Sequence, residues 1–101
     1  MADPTPTEVL LSRLKIDLGI INSTMYDSRL TSLLQAAKKE IIREGASTLD
    51  DSDVADGELI IDYARWMWLK RKEPTEMPRD LRWRLNNRIF GEKARGEAND
   101  E

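Results

Sequence analysis

Four aspartates, Asp50, Asp51, Asp53 and Asp56, crowd one short stretch of this chain, and carboxylates so close together are the raw material of a cation site. A calcium loop also needs a glycine at its sixth position and a closing glutamate, and counting from these aspartates supplies neither. The cluster therefore reads as the solvated start of a helix, where acids suit the helix dipole. The second stretch with chemical potential is RWRLNNR, Arg82 to Arg88, whose cations and aromatic ring could lie in a nucleic-acid groove with Asn86 or Asn87 reading base edges. Elsewhere the inventory is sparse. Cysteine and histidine are absent, which removes disulfides, the usual zinc sites, thiol nucleophiles and histidine-based acid-base pairs. No nucleophile with a base partner can be named. The expectation is a protein that is not an enzyme, with no catalytic residues, no metal and no cofactor.

The elements that would position these residues must fit in 101 residues, enough for one domain with a modest core. Charged residues make up 35% of the chain and apolar residues 40%, so the core is thin relative to the surface. The formal net charge of -3 runs against a general affinity for phosphates. No run approaches the length of a membrane span, and the N-terminal MADPTPTE has neither the basic nor the apolar region of a signal peptide. A soluble, intracellular protein without membrane partners is expected.

The periodicity predicts an all-α fold, a compact bundle of about four helices over residues 1–91 followed by a mobile polar tail over 92–101. The first helix opens on a capping box, with Thr5 as N-cap, Pro6 at the first turn and Glu8 three residues on, and stops at Gly19. Val9, Leu10, Leu14 and Ile16 or Leu18 form its apolar stripe, and Ile20 and Ile21 fold back on the core. A second helix spans about Asp27 to Glu44, capped by Asp27 or Ser23, with Leu30, Leu33, Leu34, Ala37 and Ile41 on one side and Gly45 just past its end. Ser52 or Asp53 caps the third helix, in which Gly57 permits a close contact or a bend. The fourth starts near Met77-Pro78 and runs to about Phe90, before Gly91, with Leu81, Leu85 and Ile89 inward.

The third helix carries a surplus. Ile60, Ile61, Ala64, Met67 and Trp68 follow one helical face and are assigned to the core, while Leu59, Tyr63 and Trp66 cover the flanks. Trp83 and Phe90 likewise lie off the inward stripe of the fourth helix. Two helices with more apolar surface than a small core can cover imply association with further copies. Leu59, Tyr63, Trp66, Arg71, Trp83 and Phe90 are the candidate intersubunit residues. The acidic start and basic end of the third helix, from Asp50 through Lys70, Arg71 and Lys72, would orient one copy against the next. Asp50, Asp51, Asp53 and Asp56 face either a neighbour or a central lumen.

At this point the sequence resembles a family. YDSRLTSLLQAAKKEIIREG, the acidic loop, LIIDYARWMWLKRK and MPRDLRWRLNNRIFGEK, in that order over roughly residues 7–95, are similar to the small head-tail connector (adaptor) proteins of tailed bacteriophages. Tyr63, Ala64, Trp66 and Trp68 together with Pro78, Leu81, Trp83, Asn86, Asn87, Ile89 and Phe90 carry the likeness. The resemblance implies a helical subunit that assembles as a ring, commonly twelvefold in the virion, beneath the portal protein at the capsid vertex. Such a ring extends the DNA channel, lets DNA pass without sequence recognition, and offers the tail or a stopper protein a surface to attach to. The implied locations are the head-tail junction of the virion and, during assembly, the host bacterial cytoplasm. Two other readings stay open on the residues alone: a nucleic-acid-binding module such as a small terminase subunit, and a scaffold protein that dimerises through the third helix.

Overall fold

The helix ends follow local chemistry in the computed structural model, which describes residues 3–99. Thr5 accepts a hydrogen bond from the Glu8 backbone amide at 3.2 Å, and α1 (Pro6–Leu18) begins there. It stops at Gly19, whose φ of 73° is the left-handed conformation that glycine adopts at no steric cost. α2 (Asp27–Glu44) has no side-chain cap. Ser23 instead receives the Met25 amide within the preceding turn, and Asp27, the first helical residue, pairs with Lys15 of α1 at 2.8 Å. For α3 (Val54–Lys70) the cap is Asp53, which accepts from the Asp56 amide at 3.0 Å. α4 (Arg79–Asn99) starts one residue after Pro78, whose carbonyl receives the Arg82 amide. The described residues form no strand, and none of their helices is long and apolar enough to cross a membrane.

α3 is the axis of the fold, packing against each of the other three helices. Leu10 and Leu14 of α1, Leu30, Leu34, Ala37 and Ile41 of α2, and Ile60, Ile61 and Ala64 of α3 form a buried core with Leu81 and Leu85 of α4. Gly57 makes the α1–α3 approach possible, since a Cβ there would lie 3.2 Å from a methyl of Leu10. Four expected core residues, Leu33, Met67, Trp68 and Ile89, are only half-buried and pack on its rim. Ile20 packs there as well, whereas Ile21 faces solvent.

Two further expectations change. Leu59 and Tyr63 are buried within the chain rather than held for a neighbour. The inward face of α4 and the end of α2 cover this side of α3, and Tyr63 sits close enough to Glu44, Glu40 and Arg82 to feel their charges. The second change is the length of α4, which runs through Gly91 instead of ending at Phe90. Of the tail expected over 92–101, residues 92–99 are thus helical, and 100–101 lie outside the described residues.

Candidate functional site

The acidic cluster is used locally. Asp50 accepts from the hydroxyl and the backbone amide of Ser52 at 2.6 and 2.9 Å, bonds that hold its carboxyl below the usual aspartate range. Asp51 is half-buried against Lys38 of α2, with the ammonium 2.6 Å away. Asp53 caps α3. Asp56 is buried, accepts from the Asp50 amide at 3.0 Å, and meets the guanidinium of Arg88 at 2.8 Å. Asp51 and Asp56 tie the 46–53 loop and the start of α3 to α2 and α4. Only Asp50 and Asp53 remain exposed.

The basic run is spent in the same way. Arg82 pairs with Glu44 of α2 at 2.7 Å, Arg84 with Asp62 of α3 and with Asp80, and Arg88 with Asp56. Hydrogen bonding to those carboxylates raises the pKa of Arg84 and Arg88 above the usual arginine value. A guanidinium engaged by a carboxylate must break that pair before it can serve a phosphate. The arrangement that looked like a nucleic-acid groove is the cement between α4 and the rest of the bundle.

Beside this cement, an open cleft of about 780 Å³ lies between the loop and α4, with Thr48, Asp53, Arg88 and Glu92 in its wall. Glu92 Oε1 receives the Thr48 amide at 2.6 Å and the Ser47 hydroxyl at 2.9 Å, and hydrogen bonding to Thr48 first and Ser47 next keeps its carboxyl below the usual glutamate range. Asp50, Asp53, Asp56, Arg88 and Glu92 each bond to one another, to a backbone amide or to a hydroxyl, while Arg88 Nη1 and Glu92 Oε2, 3.8 Å apart, are buried without a hydrogen-bond partner among the described residues. The Ser47 hydroxyl donates to the Glu92 carboxylate here, and a carboxylate held below its ordinary pKa is a weak base toward that hydroxyl. Nothing in the residue pattern marked Thr48 and Glu92 as partners, because they are far apart in sequence and neither belongs to a motif.

The end of α3 is aromatic and cationic. Trp66 is half-buried, donates its indole N–H to the Thr75 carbonyl at 3.1 Å, and meets Tyr63 edge-on. Lys70 sits 4.2 Å from the centre of its ring. Trp68 meets Tyr26 edge-on and carries the guanidinium of Arg71 at 3.8 Å. Each tryptophan thus has a covering cation of its own, an arrangement that stabilises exposed rings modestly. Arg71 is exposed on this platform, and Trp66 is closed on one side by its own chain.

The most exposed aromatic surface among the described residues lies on α4. Trp83 is 64% exposed and Phe90 73% exposed, and their spacing of seven residues puts both on the face opposite Leu81 and Leu85. Asn86 and Asn87 lie between them, and Arg79 and Lys93 continue the same face at either end, all exposed. Of the five apolar residues among the six intersubunit candidates, the structure leaves these two aromatics most open and buries Leu59 and Tyr63. Covering a large aromatic side chain is worth about 1.5–3 kcal/mol, a stabilisation that the folded chain leaves unused on this face. Comparison of the chain with protein-family models, with curated proteins and with solved structures finds no match.

Proposed function

We propose that this chain is the ring-forming head-tail connector subunit of a tailed bacteriophage. It sits beneath the portal, extends the DNA channel and presents the attachment surface for the tail or a stopper protein. The observation that carries the reading is the outer face of α4, where Trp83 and Phe90 stand exposed on a helix otherwise locked to the bundle. These aromatics belong to the residue pattern that resembles the connectors, and a rigid helix with an open aromatic face is what a structural subunit needs to join its neighbours. The mechanism is geometric. Rigid wedges associate through repeated contacts, and a rotation that closes makes a ring with a central opening.

Two features support the reading over the nucleic-acid module. Arg82, Arg84 and Arg88 are engaged by carboxylates, and the chain as a whole is acidic. A channel wall that lets DNA slide must not neutralise many phosphates at once, because each neutralised phosphate adds to affinity through counterion release. The test is the mass of the purified chain by light scattering, alone and with the portal protein of the same phage. A ring-sized species, or a monomer that joins the portal as a multimer, is the expected result. A stable dimer indifferent to the portal overturns the reading, as does tight DNA binding that falls steeply with salt.

A further inference from the structure

The open face of α4 has a counterpart on α1. Val9 and Ile16, also seven residues apart, are 42% and 58% exposed on the face of α1 turned away from Leu10 and Leu14. Ser12 and Arg13 lie between them as Asn86 and Asn87 lie between Trp83 and Phe90. α1 packs on α2 and α3, α4 packs on α3, and the two outer stripes stay exposed on the folded chain, Val9 at the rim of a cleft that it shares with Val54. The charges at the ends differ in sign. α1 is flanked by exposed Glu8 and Asp17, and α4 by exposed Arg79 and Lys93, with no ion-pair partner for any of the four among the described residues.

We infer that the outer face of α4 in one copy docks antiparallel on the outer face of α1 in the next, Trp83 against Ile16 and Phe90 against Val9. The inference rests on the ring-forming reading above. Antiparallel alignment brings Arg79 to Asp17 and Lys93 to Glu8, with the long basic side chains spanning the difference in stripe length. It also resolves two local misplacements. Arg79 is the first residue of α4, where the helix dipole disfavours a cation, and Asp17 lies in the last turn of α1, where it disfavours an acid. Facing each other, each supplies the charge the other end lacks. The two symmetric alternatives bring like charges together: α4 on α4 sets Arg79 against Lys93, and α1 on α1 sets Glu8 against Asp17. The charge pattern therefore selects a head-to-tail contact and rejects a two-fold dimer.

The absence of native cysteine makes the test clean. Val9→Cys, Ile16→Cys and Phe90→Cys are prepared separately, each at an exposed position that leaves the core intact, then mixed in pairs and treated with a short thiol cross-linker. The Val9→Cys and Phe90→Cys mixture is expected to give more than about tenfold the cross-linked dimer of either variant alone, the advantage of groups held together by an interface. A dominant Phe90→Cys self-product, or a dominant product with Ile16→Cys, overturns the inference. So does the absence of mixed product from chains that assemble, an outcome that leaves the connector reading intact. Head-to-tail chains that cross-link as expected but ignore the portal would instead overturn the connector reading alone. In a second experiment, Arg79→Asp and Asp17→Arg each raise the melting temperature of the free chain and weaken its assembly, and the double variant restores assembly. Unchanged assembly in both single variants overturns the pairing.

Discussion

Asp56 and Arg88 show how one side-chain pair ties several elements together. The carboxylate is buried at the start of α3, the guanidinium reaches it from α4 and also donates to the Thr48 hydroxyl at 3.2 Å, and the Asp50 amide fills the remaining acceptor site. Removing one partner strands a buried charge, so Arg88→Met should cost about 3–5 kcal/mol in urea unfolding. Asp56→Asn combined with Arg88→Met should lie closer to wild type than Arg88→Met alone, and a double variant as weak as the single would contradict the pairing. Glu92 makes a pH prediction. Its folded-state pKa is depressed below the unfolded value, so its contribution is fully present above the ordinary glutamate range and is lost as pH falls through the folded pKa. Glu92→Gln should flatten that acid limb of the stability profile, and superimposable profiles would show that the contact carries nothing. At this scale the sequence revealed residue types but not partners. Four clustered aspartates resemble a shared site, and only the fold shows that each is turned to a different task.

At the scale of elements, the helix starts at Thr5 and Asp53, the stops at Gly19 and Gly45, and the inward stripes of α2 and α4 were legible, because each depends on residues within a turn or two of one another. The cover over the second face of α3 was not. Leu59 and Tyr63 look surplus when the first two helices are counted as the only lid, and the inward face of α4 closes over them through contacts remote in sequence. Gly91 misled in the other direction. Glycine commonly stops a helix, but here Glu92 is anchored to Ser47 and Thr48 one residue later, and the helix carries on. The two glycines should respond oppositely to alanine. At Gly45, φ is +135° and a Cβ would lie 2.8 Å from an Ile89 methyl, so Gly45→Ala should destabilise by about 1–3 kcal/mol. Gly91 has open space and an ordinary helical backbone, so Gly91→Ala should stabilise by roughly 0.5–1 kcal/mol. Thermal melts of both variants check the pair, and equal shifts would contradict the distinction.

For the whole molecule, the ion pairs form a frame around a small core. Arg13 with Glu58 links α1 to α3, Lys15 with Asp27 links α1 to α2, Lys38 with Asp51 links α2 to the loop, and Arg82, Arg84 and Arg88 fasten α4. Apart from the buried Asp56–Arg88 pair these bridges are partly exposed and contribute little each, but together they fix the directions in which the helices point. A rigid body with an aromatic face on one outer helix and an aliphatic face on another has the polarity a repeating assembly requires. The sequence disclosed a surplus of apolar surface on both α3 and α4, and the fold buries Leu59 and Tyr63 of the first while leaving Trp83 and Phe90 of the second open, because burial depends on which helix covers which. Electron microscopy of the chain incubated with the portal protein tests the central claim most directly. The connector account predicts a ring coaxial with the portal, with an open channel, that disappears with Trp83→Glu although that variant stays folded. Portal particles without an added ring, beside wild-type chain that remains monomeric or paired, would contradict it.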